Sequence, residues 1–212
     1  MGYKKIFLVR HGQTTMNVKG IYQGRVNSDL TSLGIQQTKG VGKYIHSKEI
    51  VFKDIYCSTS PRAIDTCKLI IETMGKNAVK TVKYDNRLVE MDFGIFEGQS
   101  IELCKTNYPH TYYDLYHHPQ DYAPLGDGET VQQVIDRVSH FLSDLKNDEH
   151  KDAENVLVVT HGVIIRAIFY CLLHRKIEDF WIDEDIPSSS LTILSKDDNR
   201  AYRIDELFIT CH

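Results

Sequence analysis

The run Val156-Leu157-Val158-Val159 is apolar at every position and stops abruptly at Thr160-His161-Gly162. A strand without polar alternation has to bury both faces, so it belongs in the middle of a parallel sheet covered on both sides. Near the N-terminus, Ile6-Phe7-Leu8-Val9 repeats the pattern and stops at Arg10-His11-Gly12. In a parallel sheet the C-terminal ends of strands share one rim, where open α/β sheets bind ligands. Two such strands placed side by side would bring the imidazoles of His11 and His161 together.

The rest of the chain supplies the layers for such a sheet. Thr31 caps an expected helix running to about His46. The glycines of Gly40-Val41-Gly42-Lys43 inside it lack the spacing of a phosphate loop. A short strand, Asp54–Cys57, leads into Ser60-Pro61, an N-cap followed by proline at the first helical position. The helix that follows carries Ala63, Cys67, Ile70 and Met74 on one face. A third strand is expected over Thr81–Tyr84. From Thr130 to Leu145 the apolar stripe Val131, Val134, Ile135, Val138, Phe141, Leu142, Leu145 is helical. Asp152–Asn155 reads as a polar turn, and Val163–Leu173 as an almost wholly apolar helix. Leu191–Leu194 and Tyr202–Asp205, separated by Asp197-Asp198-Asn199, read as a β-hairpin. The fold class is therefore α/β: three layers, a mostly parallel central sheet with helices on both faces, and one antiparallel edge strand. The organisation expected is one domain over 1–212, with an irregular, partly helical lid insertion over about 86–128.

Bulk properties narrow the partners. With a formal net charge of −4 and no long run of Lys or Arg, nothing points to a nucleic-acid partner. No apolar stretch is long enough to cross a bilayer, and the N-terminus has no secretory h-region. The five cysteines are scattered, odd in number and without a Cys-x-x-Cys pair, which reads as reduced thiols in a cytoplasmic protein. Oligomeric state is not legible.

An anion site in this mildly acidic chain must be local. Arg62 falls in the first turn of its helix, beside unpaired backbone N–H groups, where the dipole disfavours a cation unless an anion is bound. It follows a strand end and so can reach the rim of His11 and His161. Two arginines, Arg10 and Arg62, and two histidines converging there make a pocket for a phosphate dianion. The insertion brings Glu90 and a dense aromatic group, Tyr108, Tyr112, Tyr113, Tyr116 and Tyr122, interleaved with His110, His117 and His118. With no His-Glu-x-x-His pattern, this group reads as a substrate cover and not as a metal site.

Across nearly its whole length the chain resembles the histidine phosphatase superfamily, in its phosphoglycerate-mutase-like branch. Arg10-His11-Gly12 matches the signature triplet; Asn17, Gln23-Gly24 and Asp29-Leu30-Thr31 match its continuation. Ser58, Arg62-Ala63 and Thr66 match the second motif, Leu88, Glu90, Gly94 and Phe96-Glu97-Gly98 the third, and Thr160-His161-Gly162 the last. The resemblance implies that His11 is a nucleophile forming a phosphohistidine, which water then hydrolyses. It makes Glu90 the proton donor, and gives Arg10, Arg62 and His161 the phosphoryl oxygens, with Asn17, Gln23, Gly24 and the Gly162 backbone as further phosphate or substrate contacts. It requires no metal and no cofactor.

Within that family, mutases carry an arginine pair after the acidic motif. Here Lys105 is the only Lys or Arg between Arg87 and Arg137. Gly126-Asp127-Gly128-Glu129-Thr130 resembles a Gly-Glu-Ser stretch of the phosphatase branch. The expectation is a phosphomonoesterase acting on a small-molecule ester, similar to α-ribazole or broad-specificity phosphatases. The alternatives are a cofactor-dependent phosphoglycerate mutase and a catalytically weak phosphate-ligand-binding module.

Overall fold

The computed structural model describes residues 3–75, 81–147, 154–182, 185–197, 199 and 201–211. In chain order they form β1 (Lys5–Arg10), α1 (Thr15–Val18), α2 (Ser32–Ser47), β2 (Asp54–Ser58), α3 (Pro61–Met74), β3 (Val82–Asp85), α4 (Ile101–Asn107), α5 (Pro109–His117), α6 (Val131–Asn147), β4 (Asn155–Thr160), α7 (Gly162–Leu173), β5 (Leu191–Lys196) and β6 (Tyr202–Ile209). The expected turn at 152–155 and the hairpin tip at 197–199 lie partly outside the described residues, at Asp152, Ala153 and Asp198.

The six strands form one sheet in the order β3-β2-β4-β1-β5-β6. The two apolar runs are neighbours: β1 and β4 pair in parallel, Leu8 opposite Val158 and Arg10 opposite Thr160. Parallel pairing continues from β4 to β2 and β3. The antiparallel element at the other edge is the β5–β6 pair, with β5 running against β1 and β6 against β5.

Strand alternation sorts the core into two layers. Ile6, Leu8, Val156 and Val158 face one way, into a cluster with the apolar stripes of α6 and α7. Phe7, Val9, Leu157 and Val159 face the other, against Val41 and Ile45 of α2 and Ala63, Cys67 and Ile70 of α3. Each run buries both faces because each has a helical layer on both sides.

Gly40 and Gly42 of α2 turn out to be points of close approach. A methyl group on Gly42 would meet Thr73 Oγ1 at 1.9 Å and the Ile70 carbonyl at 2.7 Å, and one on Gly40 would meet the Cys211 carbonyl at 2.6 Å. These glycines let α2 lie against α3 and against the chain end. The insertion over 86–128 joins the same core: Phe93, Phe96, Cys104, Leu115 and Tyr122 are buried in the cluster that includes α6 and α7. Among the described residues no helix is long and apolar enough to cross a membrane.

Candidate active site

Because β1 and β4 are in register, His11 and His161 leave the sheet at the same height. Their ring centroids are 5.1 Å apart, and both side chains are buried. His11 Nδ1 lies 2.9 Å from the carbonyl of Gly12. A carbonyl only accepts, so Nδ1 carries the proton and Nε2 keeps its lone pair. Gly12 itself must be small, since a methyl group there would meet Thr38 Oγ1 at 2.8 Å. Its N–H donates to Thr66 Oγ1 (2.9 Å), which donates in turn to the Arg62 carbonyl (2.7 Å). His161 Nε2 meets Ser58 Oγ at 2.8 Å, whereas His161 Nδ1 is buried with no hydrogen-bond partner among the described residues.

Arg62 is 1% exposed. Its Nη2 donates to the Gly24 carbonyl (2.8 Å) and its Nη1 to that of Val26 (3.0 Å), which leaves Nε directed at His11 Nε2, 3.4 Å away. Burial of this cation lowers its pKa to about 10, with Glu90 opposing the shift. It therefore stays charged at neutral pH. The expected anion-binding helix start is modified: Ser60 is the N-cap residue of α3 but its side chain caps nothing, and the Arg62 N–H donates instead to Asn27 Oδ1 (3.2 Å). A distant loop has taken up that donor, so Arg62 faces the site through its guanidinium alone. Arg10 donates through Nη1 to the Ile186 carbonyl, and its buried Nε has no partner among the described residues. Arg10 Nε and His161 Nδ1 are thus two buried polar groups left unmatched among the described residues. Each such group costs about 1–3 kcal/mol unless a partner meets it.

Glu90 is 8% exposed. Its Oε1 accepts from the Met91 N–H (3.0 Å) and its Oε2 from the Val163 N–H in the first turn of α7 (3.4 Å). A methyl group on Gly162 would stand 3.7 Å from Arg10 Nε and 3.9 Å from Glu90 Oε2, so Gly162 keeps the space between the two groups open. Asn17 and Gln23 line the same cavity, but their carboxamides are engaged locally. Asn17 Oδ1 accepts from the N–H and hydroxyl of Thr14, and Gln23 bridges Thr14 and Ser28. Gly24, at φ 51°, has no room for a side chain: a Cβ would fall 1.9 Å from Glu97 Oε1. All nine candidate site residues named from the sequence thus border one cavity or its hydrogen-bonded wall, with His161 just beneath its surface.

The cavity measures about 270 Å³. Beyond the polar end its wall is Tyr22, Phe93, Tyr116 and Trp181, together with the charged side chains of Arg166 and Asp185. Tyr22 and Tyr116 share a hydroxyl hydrogen bond of 2.7 Å, and the Arg166 guanidinium lies over the Trp181 ring at 5.3 Å. Of the five tyrosines expected in the cover, only Tyr116 reaches the cavity. Tyr108 and Tyr112 pack on the core, Tyr122 is buried in it and Tyr113 is exposed. His110, His117 and His118 are all exposed, and His117 stacks on Tyr113 with 4.4 Å between centroids. Among the described residues no group of three or more His, Cys, Asp or Glu side chains is arranged to hold a metal.

Chemically, the site offers a lone pair at the centre of a ring of donors, with a carboxyl opposite. Burial, then Arg62 and Arg10, push the His11 imidazole well below the usual 6.5, against a smaller opposing pull from the Gly12 carbonyl. Burial, followed by Arg62, does the same to His161. Both rings are neutral in the native protein but bind protons below about pH 6.5 when unfolded. Their stabilising contribution is therefore complete above 6.5 and is lost as pH falls towards their native values. The thermal midpoint is expected to decline below about pH 6.5, and His161→Asn to flatten that decline between about pH 5 and 6.5. Melting curves followed by circular dichroism across that range check this, and identical slopes for the two proteins would contradict it.

Comparison with known proteins gives the family of the chain. The profile of the histidine phosphatase superfamily (branch 1) matches residues 6–209. The chain is 33% identical to the putative phosphoserine phosphatase 2 of Hydrogenobacter thermophilus, over 84% of this chain and 83% of that protein. It is 30% identical to a 2,3-bisphosphoglycerate-dependent phosphoglycerate mutase of Rhizobium meliloti, over 79% and 78% of the two chains. The fold is shared with a putative alpha-ribazole-5'-P phosphatase from Escherichia coli, at a TM-score of 0.81 and 24% identity, covering 97% and 96% of the two chains.

Proposed function

Because the chain belongs to the histidine phosphatase superfamily (branch 1), we propose that it hydrolyses small-molecule phosphomonoesters through a phosphohistidine formed on His11. In the first step the Nε2 lone pair attacks phosphorus. The P–O bond to the alcohol breaks, its electron pair stays on oxygen, and Glu90 delivers the proton that makes this oxygen a neutral alcohol. In the second step water attacks phosphorus, Glu90 recovers a proton from it, the N–P bond breaks and inorganic phosphate leaves. Arg10, Arg62 and His161 hold the equatorial phosphoryl oxygens, over which the phosphoryl charge is spread in the transition state, while Glu90 meets the charge developing on the leaving oxygen. The guanidinium groups supply the positive charge, and Asn17, Gln23 and Gly24 shape the entrance. The observation that supports this reading best is the bond from His11 Nδ1 to the Gly12 carbonyl, which leaves Nε2 unprotonated beside Arg62.

The phosphoryl group takes the polar end of a cavity of about 270 Å³ that opens outward, and the alcohol portion lies along the rest of its wall. Its surroundings are aromatic but also carry Arg166 and Asp185, which favours a polar or charged alcohol over the purely apolar one that the tyrosines alone would favour. The Hydrogenobacter relative makes O-phosphoserine a natural first substrate to try, and the Rhizobium relative keeps the mutase as the second reading.

One assay separates the readings. The protein is incubated with p-nitrophenyl phosphate, with O-phosphoserine, and with 3-phosphoglycerate plus 2,3-bisphosphoglycerate, each with and without EDTA. Phosphate release that persists in EDTA is expected. Isomerisation of phosphoglycerate without net release would establish the mutase instead, and silence in every arm would leave a binding module.

A further inference from the structure

The loop that presents Glu90 has no ladder of its own. Residues between β3 and α4 form two short 3-10 turns, Asn86–Leu88 and Gly94–Phe96, and Glu90 lies between them. Carbonyls in such a segment need partners from elsewhere. Arg137 of α6 supplies them. Its Nη1 donates to the carbonyls of Arg87 and Val89, both at 2.7 Å, and its Nη2 to that of Glu90 at 3.3 Å. Its remaining donors go to Glu129: Nε to Oε1 at 2.8 Å and Nη2 to Oε2 at 3.0 Å. Glu129 Oε2 also accepts from the Asp92 N–H (2.9 Å) and from Arg25 Nη2 (3.2 Å). The backbone is thus held on both sides of Glu90 by one ion pair, whose side chains are only 16% and 18% exposed.

We propose that Arg137, oriented by Glu129, is the positioning residue that sets where the Glu90 carboxyl stands relative to the leaving oxygen. The inference rests on the role proposed for Glu90 above. Arg137 does not itself line the cavity. It acts through three main-chain carbonyls, and only a planar guanidinium can serve these and a carboxylate together. Burial pushes the Glu129 carboxyl up, but the bonds from Arg137 outweigh it and bring the carboxyl below its usual 4.5, so Glu129 stays ionised at neutral pH. The pair adds no net charge, and its effect on Glu90 is one of placement.

Proton delivery matters most for a poor leaving group, which gives a readout that a general brace would not move. First-turnover release of the alcohol is measured by rapid quench for p-nitrophenyl phosphate and for an alkyl phosphate that the wild type hydrolyses. The panel is wild type, Glu90→Gln, Arg137→Gln, Arg137→Lys and Glu129→Gln. The alkyl ester is expected to slow by about 10- to 100-fold in Arg137→Gln, while the nitrophenyl ester changes by less than about threefold, the same split as in Glu90→Gln. Arg137→Lys, which keeps the charge but loses the planar fork, is expected to share the split, and Glu129→Gln to show a weaker one. Equal losses on both esters, or no loss in any Arg137 or Glu129 variant, would overturn the inference while leaving the phosphatase reading intact. If Arg137→Gln does not fold, the Arg137→Lys and Glu129→Gln proteins decide by the same criterion. A wild type inert toward both esters would overturn the phosphatase reading itself, and this inference with it.

Discussion

His11→Ala is expected to lower turnover of every phosphomonoester by at least about 10⁴-fold, because groups that act as one catalytic unit fail together when the nucleophile is removed. His161 Nε2 is engaged by Ser58, and the Glu90 oxygens already accept from the Met91 and Val163 N–H groups. Among the described residues the His11 side chain bonds only to the adjacent Gly12 carbonyl and to Arg62, so the alanine protein keeps the framework of the site. Two measurements check this. Acid-labile, alkali-stable phosphoprotein should be trapped from wild type mixed with labelled substrate and should be absent from His11→Ala. The variant should still bind inorganic phosphate, seen as a rise in thermal midpoint. A variant that retains even a hundredth of the wild-type rate would remove His11 from the nucleophile's role.

Arg62→Ala carries the next largest effect, and it acts on three properties at once. First, the guanidinium nearest His11 Nε2 is lost from the position where phosphoryl charge accumulates, which costs about 10²- to 10³-fold in kcat. Second, the carbonyls of Gly24 and Val26 lose their donor, at about 1–3 kcal/mol for each one left buried and unmatched. Third, Arg62 is the largest charge effect holding the His11 pKa down, after burial itself. Its removal raises that pKa, so the acid limb of the kcat/KM profile moves to higher pH. Arg62→Lys is expected to recover little, because one ammonium cannot serve two carbonyls and a phosphoryl oxygen in fixed directions. Steady-state rates from about pH 4 to 8 for the three proteins test this. A kcat in Arg62→Ala within threefold of wild type, or an unmoved acid limb, would refute it.

The parts of this site that could be read from the sequence are those carried by local pattern. Two uninterrupted apolar runs, each closed by His-Gly, announce central strands, and such strands have few other places to go. The cap at Thr31 and the buried stripe of α3 follow from spacing alone, and both are present. What escaped depends on contacts between distant segments. Gln23 is held by Thr14 and Ser28, and the first turn of α3 is capped by Asn27 and not by Ser60. Trp181 and Asp185 reach the cavity from the segment after α7, and nothing in their neighbours indicates it. Arg166 did leave a signal. It is the one charged residue in an otherwise apolar helix and stands one turn beyond Gly162, so it shares that residue's face.

The pairing of β1 with β4 carries a consequence for how this protein comes into being. Lys5 lies opposite Asn155 and Arg10 opposite Thr160, so the central ladder joins segments about 150 residues apart in the chain. Contacts so distant in sequence form late, once the intervening chain has collapsed. During synthesis the His11 strand leaves the ribosome long before its partner exists, and the nascent chain cannot complete the candidate site until β4 and the start of α7 have emerged. A slip of one residue in that ladder would turn every side chain of the strand to the opposite face. Enzymatic activity in this protein is therefore also a gauge of maturation: it marks chains whose longest-range pairing has closed in register.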